Sequence, residues 1–322
     1  VVFYGIPKYK NMTYGVTYTD NSESTNVMGY NLLANPYTCP IEASEFLSEN
    51  SSMLSEETIW IWDDYGSNNN DASNSDYITI NDLGVSGDSR NARGSDWDGT
   101  INVAQGFFIK ASSTGNVLFK QSMKTLDEND DASFYRTANY EVEKYWFNLV
   151  KEDGTVSTNA LVGFHPDATE ELDKRFDASK FGGSFSVYSL VKEQKLAIQG
   201  LPTDWINNLF GGRPIGIGYQ ADEKGTYTFQ LEKEEHASGQ RLYLNDLLTG
   251  ISTDLTVESY SFDSEAGSYN ERFTLSLSPL DAKHILGENL SLDVQVFGAF
   301  GSIGVNVDQE SKINIWTLDG RM

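Results

Sequence analysis

Residues 29–40 read GYNLLANPYTCP, and this stretch sets a pattern that the rest of the chain repeats. The short apolar run Tyr30–Ala34 predicts a buried strand. Asn35 and Pro36 then end it, because a residue before proline is pushed out of the helical region and the proline has no N–H for a strand ladder. The stretch therefore predicts a strand followed by a corner.

Similar strand-and-turn units continue in both directions. Residues 1–20 alternate aromatic or β-branched residues with polar ones, which is the period of a half-buried strand. Turn signals such as Gly182-Gly183 and Gly211-Gly212 separate later units. Strands are predicted at 56–62, 77–80, 106–110, 117–119, 145–150, 159–164, 185–191, 195–199, 214–219, 226–231, 241–245, 256–262 and 272–277, and short helices at 41–53 and 168–180.

This pattern predicts an all-β fold. Short strands at regular spacing, without strand–helix alternation, are typical of antiparallel β-sandwiches of the jelly-roll or immunoglobulin-like kind. A length of 322 residues is enough for two such domains. We place them at residues 1–130 and 131–285, divided near the acidic segment 127–131, with a third, incomplete region at 286–322. Both ends fall in strand patterns, as expected for a piece of a longer polypeptide.

The charge of the chain excludes several partners. Acidic residues outnumber basic ones by 47 to 23, which gives a formal net charge of −24. Such a surface repels phosphate backbones and anionic lipids, so we expect no nucleic-acid partner. No stretch approaches the ~20 apolar residues of a membrane helix, so we expect no direct membrane insertion. The single cysteine, Cys39, lies in an apolar stretch and is interpreted as a buried small hydrophobe.

Groups suited to catalysis do not gather in the sequence. The three histidines, His165, His236 and His284, are far apart and follow no metal-ligand spacing. His165 precedes Pro166 and is interpreted as a turn residue. Glycosidase carboxylates need no local motif, but the acidic residues are too many to single out a pair. We therefore predict a protein that is not an enzyme, with calcium as the one candidate cofactor.

Asp- and Asn-rich loops are the candidate calcium sites, because Ca²⁺ takes about 6–8 oxygen ligands. The candidate ligands are Asp63, Asp64, Asn68, Asn70, Asp71, Asp76, Asp96 and Asp98, with Asp127, Asp130 and Asp131 as a further set. Tyr65 and Trp97 lie in the same polar loops and are candidate glycan-binding residues, since exposed rings can stack on sugars. The alternative is that these loops are merely solvated. The strand tryptophans Trp60, Trp62, Trp146 and Trp316 are interpreted as core residues.

Several short motifs, taken in order, resemble the C-terminal region of large surface proteins that gliding-type bacteria export through the type IX secretion system. These motifs are GYNLLANPY (29–37), TIWIWD (58–63), QGFFIK (105–110), NALVGF (159–164), FDASK (176–180), LAIQGLP (196–202), LYLNDL (242–247), YSF (260–262) and RFTL (272–275). Each motif is short. Their shared order and spacing carry the resemblance, which spans nearly the whole chain.

Residues 294–322 resemble the beginning of the sorting domain that such proteins carry at their C terminus. Segments 294–297, 304–307 and 312–322 correspond to its first strands, which implies the start of a small β-sandwich. Leu318, Asp319, Gly320 and Arg321 correspond to its usual turn and are the candidate sorting-signal residues. The final strands of that domain are missing from the match.

The resemblance implies export across the outer membrane to the cell surface, with the type IX machinery as a partner. We therefore interpret the chain as a non-catalytic extracellular scaffold or stalk region that carries the export signal. One alternative is a glycan-binding adhesin module that uses calcium. Another is a self-assembling surface-filament subunit, since an unpaired strand edge can accept a strand from another copy.

Overall fold

The computed structural model describes residues 7–19, 29–62, 77–87, 99–125, 142–152, 154, 157–205, 214–237, 239, 241–277, 279, 295–299 and 302–306. The chain divides into two compact units, Val1–Pro279 and Leu280–Met322. Within the first unit we distinguish a first region, residues 7–125, and a second region, residues 142–277. The predicted limits at residues 131 and 286 lie outside the described residues, and this division into domains stays a prediction.

A five-stranded antiparallel sheet organises the first region. The strands of this region are β1 (Met12–Val16), β2 (Tyr30–Ala34), β3 (Ile41–Glu42), β4 (Leu54–Trp62), β5 (Tyr77–Ile80), β6 (Val85–Ser86), β7 (Thr100–Ile101), β8 (Gly106–Ala111) and β9 (Gly115–Phe119). The sheet has the order β2-β8-β4-β5-β6, while β1 pairs with β9 and β3 pairs with β7. Its inner face buries Ile59, Ile61, Phe107 and Ile109 in one apolar core.

The corner after β2 is held by Asn35, whose side chain is buried. Its amide group donates hydrogen bonds to the carbonyls of Cys39 and Ile101, each at 2.9 Å. Its Oδ1 accepts the N–H of Tyr37 at 2.9 Å. The predicted strand and corner are therefore confirmed, and the corner is a satisfied polar anchor inside an apolar region.

One α-helix occurs among the described residues, α1 (Ala43–Asn50), and it confirms the helix predicted within 41–53. Phe46 of this helix packs edge-on against Phe107 of β8, with ring centroids 5.3 Å apart. Asn50 ends the helix, and its side chain exchanges hydrogen bonds with the backbone of Leu118 at 2.7 and 2.9 Å. Short 3₁₀ turns follow at Ser51–Met53 and Gln121–Met123.

The second region is built on an eleven-stranded sheet. Its strands are β10 (Glu143–Lys151), β11 (Ser157–Phe164), β12 (Ala178–Ser179), β13 (Ser186–Val191), β14 (Gln194–Leu201), β15 (Ile215–Ala221), β16 (Gly225–Glu235), β17 (Tyr243–Asp246), β18 (Ile251–Asp254), β19 (Tyr260–Ser264) and β20 (Gly267–Ser276). The order is β18-β17-β20-β15-β13-β14-β11-β10-β16-β19, and β12 also pairs with β14. Every pairing is antiparallel except that of β11 with β14.

The helix predicted at 168–180 is wrong. These residues form a turn at 174–176 and the short strand β12, which pairs with β14. Their composition tolerates a helix, but most of the segment after residue 172 is held by contacts with other parts of the chain. Tertiary contacts override a weak local preference in such cases.

The two ends of the eleven-stranded sheet approach each other and nearly close it. Phe262 of β19 packs on Phe273 of β20 with ring centroids 4.8 Å apart. Arg272 of β20 forms an ion pair with the fully buried carboxylate of Asp246 on β17, at 2.9 Å from Nη2 to Oδ2. The hydroxyl of Tyr260 on β19 donates to the same Oδ2 at 2.8 Å. One carboxylate thus joins three strands from both ends of the sheet.

The ionisation of Asp246 depends on these partners. Burial alone would raise its pKa, but hydrogen bonds from Arg272, Tyr260 and the N–H of Leu248 outweigh burial and hold the pKa below its ordinary value. The carboxylate is therefore charged at neutral pH. Its ion pair and hydrogen bonds offset the cost of burying that charge.

The second unit contains the hairpin of β21 (Gln295–Ala299) and β22 (Ser302–Asn306), which pair in antiparallel register. These strands overlap the segments 294–297 and 304–307 that were predicted as strands. The all-β class is confirmed by both units.

Replacing Arg272 should weaken the closure of the large sheet. We expect Arg272→Met to lower the free energy of unfolding by about 3 kcal/mol, because it leaves a buried carboxylate without its cation. Urea unfolding at neutral pH measures this change. Arg241→Met is the matched control, since Arg241 pairs with Asp254 at an exposed position and should matter little. Equal effects of both substitutions would contradict a special role for Arg272.

Candidate functional site

The ligand and signal residues predicted from the sequence all lie outside the described residues. They are Asp63, Asp64, Tyr65, Asn68, Asn70, Asp71, Asp76, Asp96, Trp97, Asp98, Leu318, Asp319, Gly320 and Arg321. Asp127, Asp130 and Asp131 also lie outside them. Among the residues that are described, no group of three or more His, Cys, Asp or Glu side chains could hold a metal ion. The calcium, glycan and sorting sites therefore stay predictions.

His165 is a buried residue in the turn that follows β11. Its ring stacks on Phe176 with centroids 4.4 Å apart, and its Nδ1 accepts the N–H of Asp167 at 3.1 Å. Burial lowers the pKa of His165, and the Arg175 charge acts in the same direction, although nearby carboxylates oppose it. The interpretation as a turn residue agrees with this geometry.

The feature that the sequence did not predict is the contact between the two regions. We call residues 173–181 of the second region the junction segment. Its last residue, Phe181, lies on the outward face of the five-stranded sheet. Its ring centroid is 4.6 Å from that of Tyr77, 4.8 Å from Tyr30, 5.4 Å from Phe108 and 5.8 Å from Trp60. The second region thereby covers part of an aromatic sheet face.

Buried polar groups fix the position of Ser179 in this contact. The indole Nε1 of Trp60 donates to the Ser179 carbonyl at 3.1 Å. Glu56 of β4 accepts the Ser179 N–H and O–H, each at 2.8 Å. Lys110 of β8 completes the arrangement with an ion pair to Glu56 at 2.5 Å. These bonds hold the junction segment in register on the first region.

The beginning of the junction segment is attached by charged side chains. The carbonyl of Lys174 accepts the N–H of Glu57 at 2.5 Å, and the Lys174 ammonium group lies 3.3 Å from the Glu57 carboxylate. Arg175 pairs with Asp82 at 2.5 Å. The lysine and arginine are partly exposed, so these pairs contribute mainly to orientation.

A second contact lies beside β6. Trp146 of β10 donates from Nε1 to the Val85 carbonyl at 2.7 Å. The side-chain Oδ1 of Asn159 accepts the Ser86 hydroxyl at 3.0 Å and the Gly87 N–H at 2.8 Å. Leu83 is buried among residues of the second region in a separate apolar cluster. The two regions are therefore joined at two places by buried contacts.

Asp177 is a buried carboxyl group in the middle of the junction segment. Its two oxygens accept the backbone N–H groups of Gly200 at 2.9 Å and Asp173 at 2.7 Å. No lysine or arginine among the described residues forms an ion pair with it. Burial raises the pKa of Asp177 to about 7, assisted by the charges of Asp173 and Glu56 and opposed by the two N–H groups.

The outward face of the five-stranded sheet is only partly covered. Trp62 is 45% exposed and meets Tyr77 edge-on, with ring centroids 5.0 Å apart. The core interpretation is confirmed for Trp60 and Trp146, is wrong for Trp62, and lies outside the described residues for Trp316. Alternation along β4 places Trp60 and Trp62 on the same outward face, and they differ because Phe181 packs on Trp60.

Two other sequence predictions concern the described residues. Cys39 is half-buried and packs against the core of the first region. Within the described part of the chain, none of the helices has the length and apolar character to cross a membrane.

The fold and these contacts define an all-β protein with two regions joined by a buried aromatic and polar junction. The chain belongs to the family described as Domain of unknown function (DUF8693), which matches residues 1–277. That match includes both regions and the junction segment through which they contact each other.

A curated relative gives the chain a biological context. A stretch of 156 residues is 28% identical to the minor fimbrium subunit Mfa5 of Porphyromonas gingivalis. The match covers 47% of this chain and 12% of the length of Mfa5. No solved structure matches the chain.

The stability that Asp177 contributes should decrease as the pH rises from about 4 to about 7. Over this range the folded protein keeps a proton that the unfolded chain, with an ordinary pKa of 3.8, has released. We expect the stability of the wild type, relative to Asp177→Asn, to fall by about 1–3 kcal/mol between mildly acidic and mildly alkaline pH. Urea unfolding of both proteins across this range measures the difference.

Asp204→Asn, a change at an exposed position of the same region, is the control for this experiment. Its stability relative to the wild type, measured across the same pH range, is the reference with which the Asp177→Asn difference is compared. A pH-independent difference for Asp177→Asn would show that Asp177 is ionised in the folded protein throughout this range.

Proposed function

We propose that this chain is a non-catalytic structural region of a bacterial cell-surface protein associated with fimbriae. The similarity to Mfa5 carries the proposal, since that relative is a fimbrium subunit. Because the match covers 12% of Mfa5, the proposal concerns a structural role for this region and not the activity of a whole fimbrial protein.

The geometry supports a structural role. The strands of the second region form one nearly closed sheet, and the junction segment attaches that sheet to the first region through Phe181, Ser179 and Lys174. Buried aromatic packing and satisfied polar groups favour a fixed arrangement over independent movement of the two regions. A stalk or scaffold that presents other parts of a protein outside the cell needs this property.

The proposal includes a route to the surface. The resemblance to type IX cargo proteins supports export across the outer membrane, with Leu318, Asp319, Gly320 and Arg321 as the sorting-signal residues. The type IX machinery would then be the partner during export, and copies of the chain or other fimbrial proteins would be partners afterwards.

Surface labelling in the bacterium that encodes the chain tests location and route separately. An epitope-tagged parent protein should be labelled on intact cells and should be removed by external protease. Alanine at all four residues 318–321 should retain the protein inside the cell. Leu248→Ala, a change at an exposed position elsewhere, is the control and should leave surface labelling intact.

Two results would contradict the proposal in different ways. A tag that stays protected from protease in wild-type cells would exclude the surface location. Unchanged labelling after the fourfold alanine substitution would leave the location intact and exclude residues 318–321 as the signal.

A second candidate function is glycan binding, in which calcium has a supporting role. The observation that favours it is the exposed indole of Trp62 next to Tyr77, the two residues that flank the Asp- and Asn-rich segment 63–76 in sequence. A flat exposed aromatic ring beside oxygen-rich residues has the chemistry for stacking on a sugar. Tyr65 and Trp97 would extend such a site.

A glycan array probed with the purified chain tests this candidate. We expect Trp62→Ala to abolish binding to any glycan that the wild type binds. Tyr9→Ala changes another exposed aromatic residue and should leave glycan binding unchanged. A calcium titration by calorimetry, with EGTA as the control, should release heat and raise the melting temperature, because binding stabilises the folded state by mass action. A chain that binds neither glycans nor calcium would exclude the adhesin.

A further inference from the structure

Strand β2 is an edge of the five-stranded sheet, and half of its backbone groups face outward. The Gly29 carbonyl accepts the Ala111 N–H at 2.7 Å, and the Asn35 N–H donates to Gln105 at 3.1 Å. In an antiparallel ladder such bonds recur at every second residue, so Asn31 and Leu33 face β8. The N–H and C=O groups of residues 30, 32 and 34 therefore point away from the sheet. Within the part of the chain that the structure describes, they make no hydrogen bond.

The residues of β2 themselves lack the features that usually prevent pairing, and the nearest described segment, at Thr17, bonds to the side chain of Asn31 and not to the outward backbone groups. Natural sheets protect their edges with charged side chains, prolines, bulges or covering segments. The sequence YNLLA of β2 has no charge and no proline, and its pairing with β8 has no bulge. At its centre, Leu32 is 64% exposed. The chain carries a net charge of −24, but none of its charged residues lies within this strand.

The edges of the large sheet are protected by comparison. On β18, the Asp254 carbonyl accepts the N–H groups of Val257 and Glu258. On β19, the Asp263 carbonyl accepts a hydrogen bond from Arg272 at 3.2 Å. At the other end of the five-stranded sheet, Ser86 of β6 bonds to Asn159 of the second region. On β2, by contrast, no outward backbone group of residues 30, 32 and 34 bonds to another residue that the structure describes.

We infer that two copies of this chain associate by antiparallel pairing of β2 with β2. Leu32 is the central residue of the strand, so a two-fold axis through this position pairs Leu32 with Leu32 of the second copy. The outward groups of both residues then exchange hydrogen bonds. Tyr30 and Ala34 pair in the same way, and all three side chains lie on one sheet face. The pairing is apolar throughout on that face and places no like charges opposite each other.

The charge of the chain predicts how salt affects this dimer. Two copies with a net charge of −24 each repel one another at a distance, but the contact itself contains no charged residue. Added salt screens the repulsion and removes no attraction, so association should become stronger. A contact built on ion pairs would respond in the opposite direction. The surface role proposed above does not require this dimer, and the two proposals fail independently.

Analytical ultracentrifugation of the purified 322-residue chain tests the inference. A contact of one short strand per copy is small, so we expect a reversible dimer between about 10 μM and about 1 mM protein. Association should strengthen by about tenfold or more between about 0.05 and about 0.5 M NaCl.

Leu32→Lys, which places a charge at the edge, should return the protein to a monomer with an unchanged melting temperature. Leu248→Lys, at a position 74% exposed elsewhere, is the matched control and should dimerise like the wild type.

Disulfide cross-linking tests the position of the axis. Cys39 is the one cysteine of the chain, so Leu32→Cys in a Cys39→Ser background offers a single thiol. Directly opposed residues in a hydrogen-bonded antiparallel pair have Cα atoms about 5.5 Å apart, which suits a disulfide. Mild oxidation should give a covalent dimer of Leu32→Cys and no comparable product from Leu248→Cys.

Three results would overturn the inference. The first is a monomer across the whole concentration range together with no cross-link at position 32. That result would mean that β2 binds a partner other than a second copy of this chain. The second is a dimer that Leu32→Lys does not affect. The third is a dimer that salt weakens.

Discussion

The carboxylate of Glu56 is the contact on which the arrangement of the first unit depends. It accepts both hydrogen-bond donors of Ser179 and pairs with Lys110, so one side chain of β4 fixes the junction segment to the first region. Phe181 follows two residues later and covers Trp60 and Tyr30 only because Ser179 is held in place. Glu56 is only partly buried, and the Lys110 ion pair and the two Ser179 hydrogen bonds offset the cost of placing its charge there. The aromatic face of the small sheet would otherwise be open to solvent.

The two sheets of the first unit differ in what lies beside their edge strands. The large sheet brings its ends together, and the shared carboxylate of Asp246 joins β17, β19 and β20. The small sheet pairs or covers one end with the second region, and at the other end no described strand pairs with the outer side of β2. An edge strand without a partner is a place where another chain can add. The second region therefore contains a nearly closed sheet, which favours stability. The first region presents the edge strand β2, which favours association with another chain.

The biological context comes from sequence similarity and the physical role from the structure. The chain belongs to a family of unknown function, and part of it is similar to part of a fimbrium subunit; neither match defines an activity. The junction segment and the nearly closed sheet describe a rigid structural element. These features support the proposal that the chain is a structural region of a surface protein.

The sequence by itself determined the all-β class, the strand and corner at residues 29–40 and the helix within 41–53, because these follow from local alternation, proline placement and apolar periodicity. It also identified Trp60 and Trp146 as core residues. Local patterns failed at residues 168–180 and at Trp62. Period two shows that Trp60 and Trp62 share a face, but which of them is covered depends on Phe181, more than a hundred positions away. The parallel pairing of β11 with β14, the ionisation of Asp177 and the open edge of β2 were decided only by the tertiary structure, since each depends on what distant segments place beside these residues.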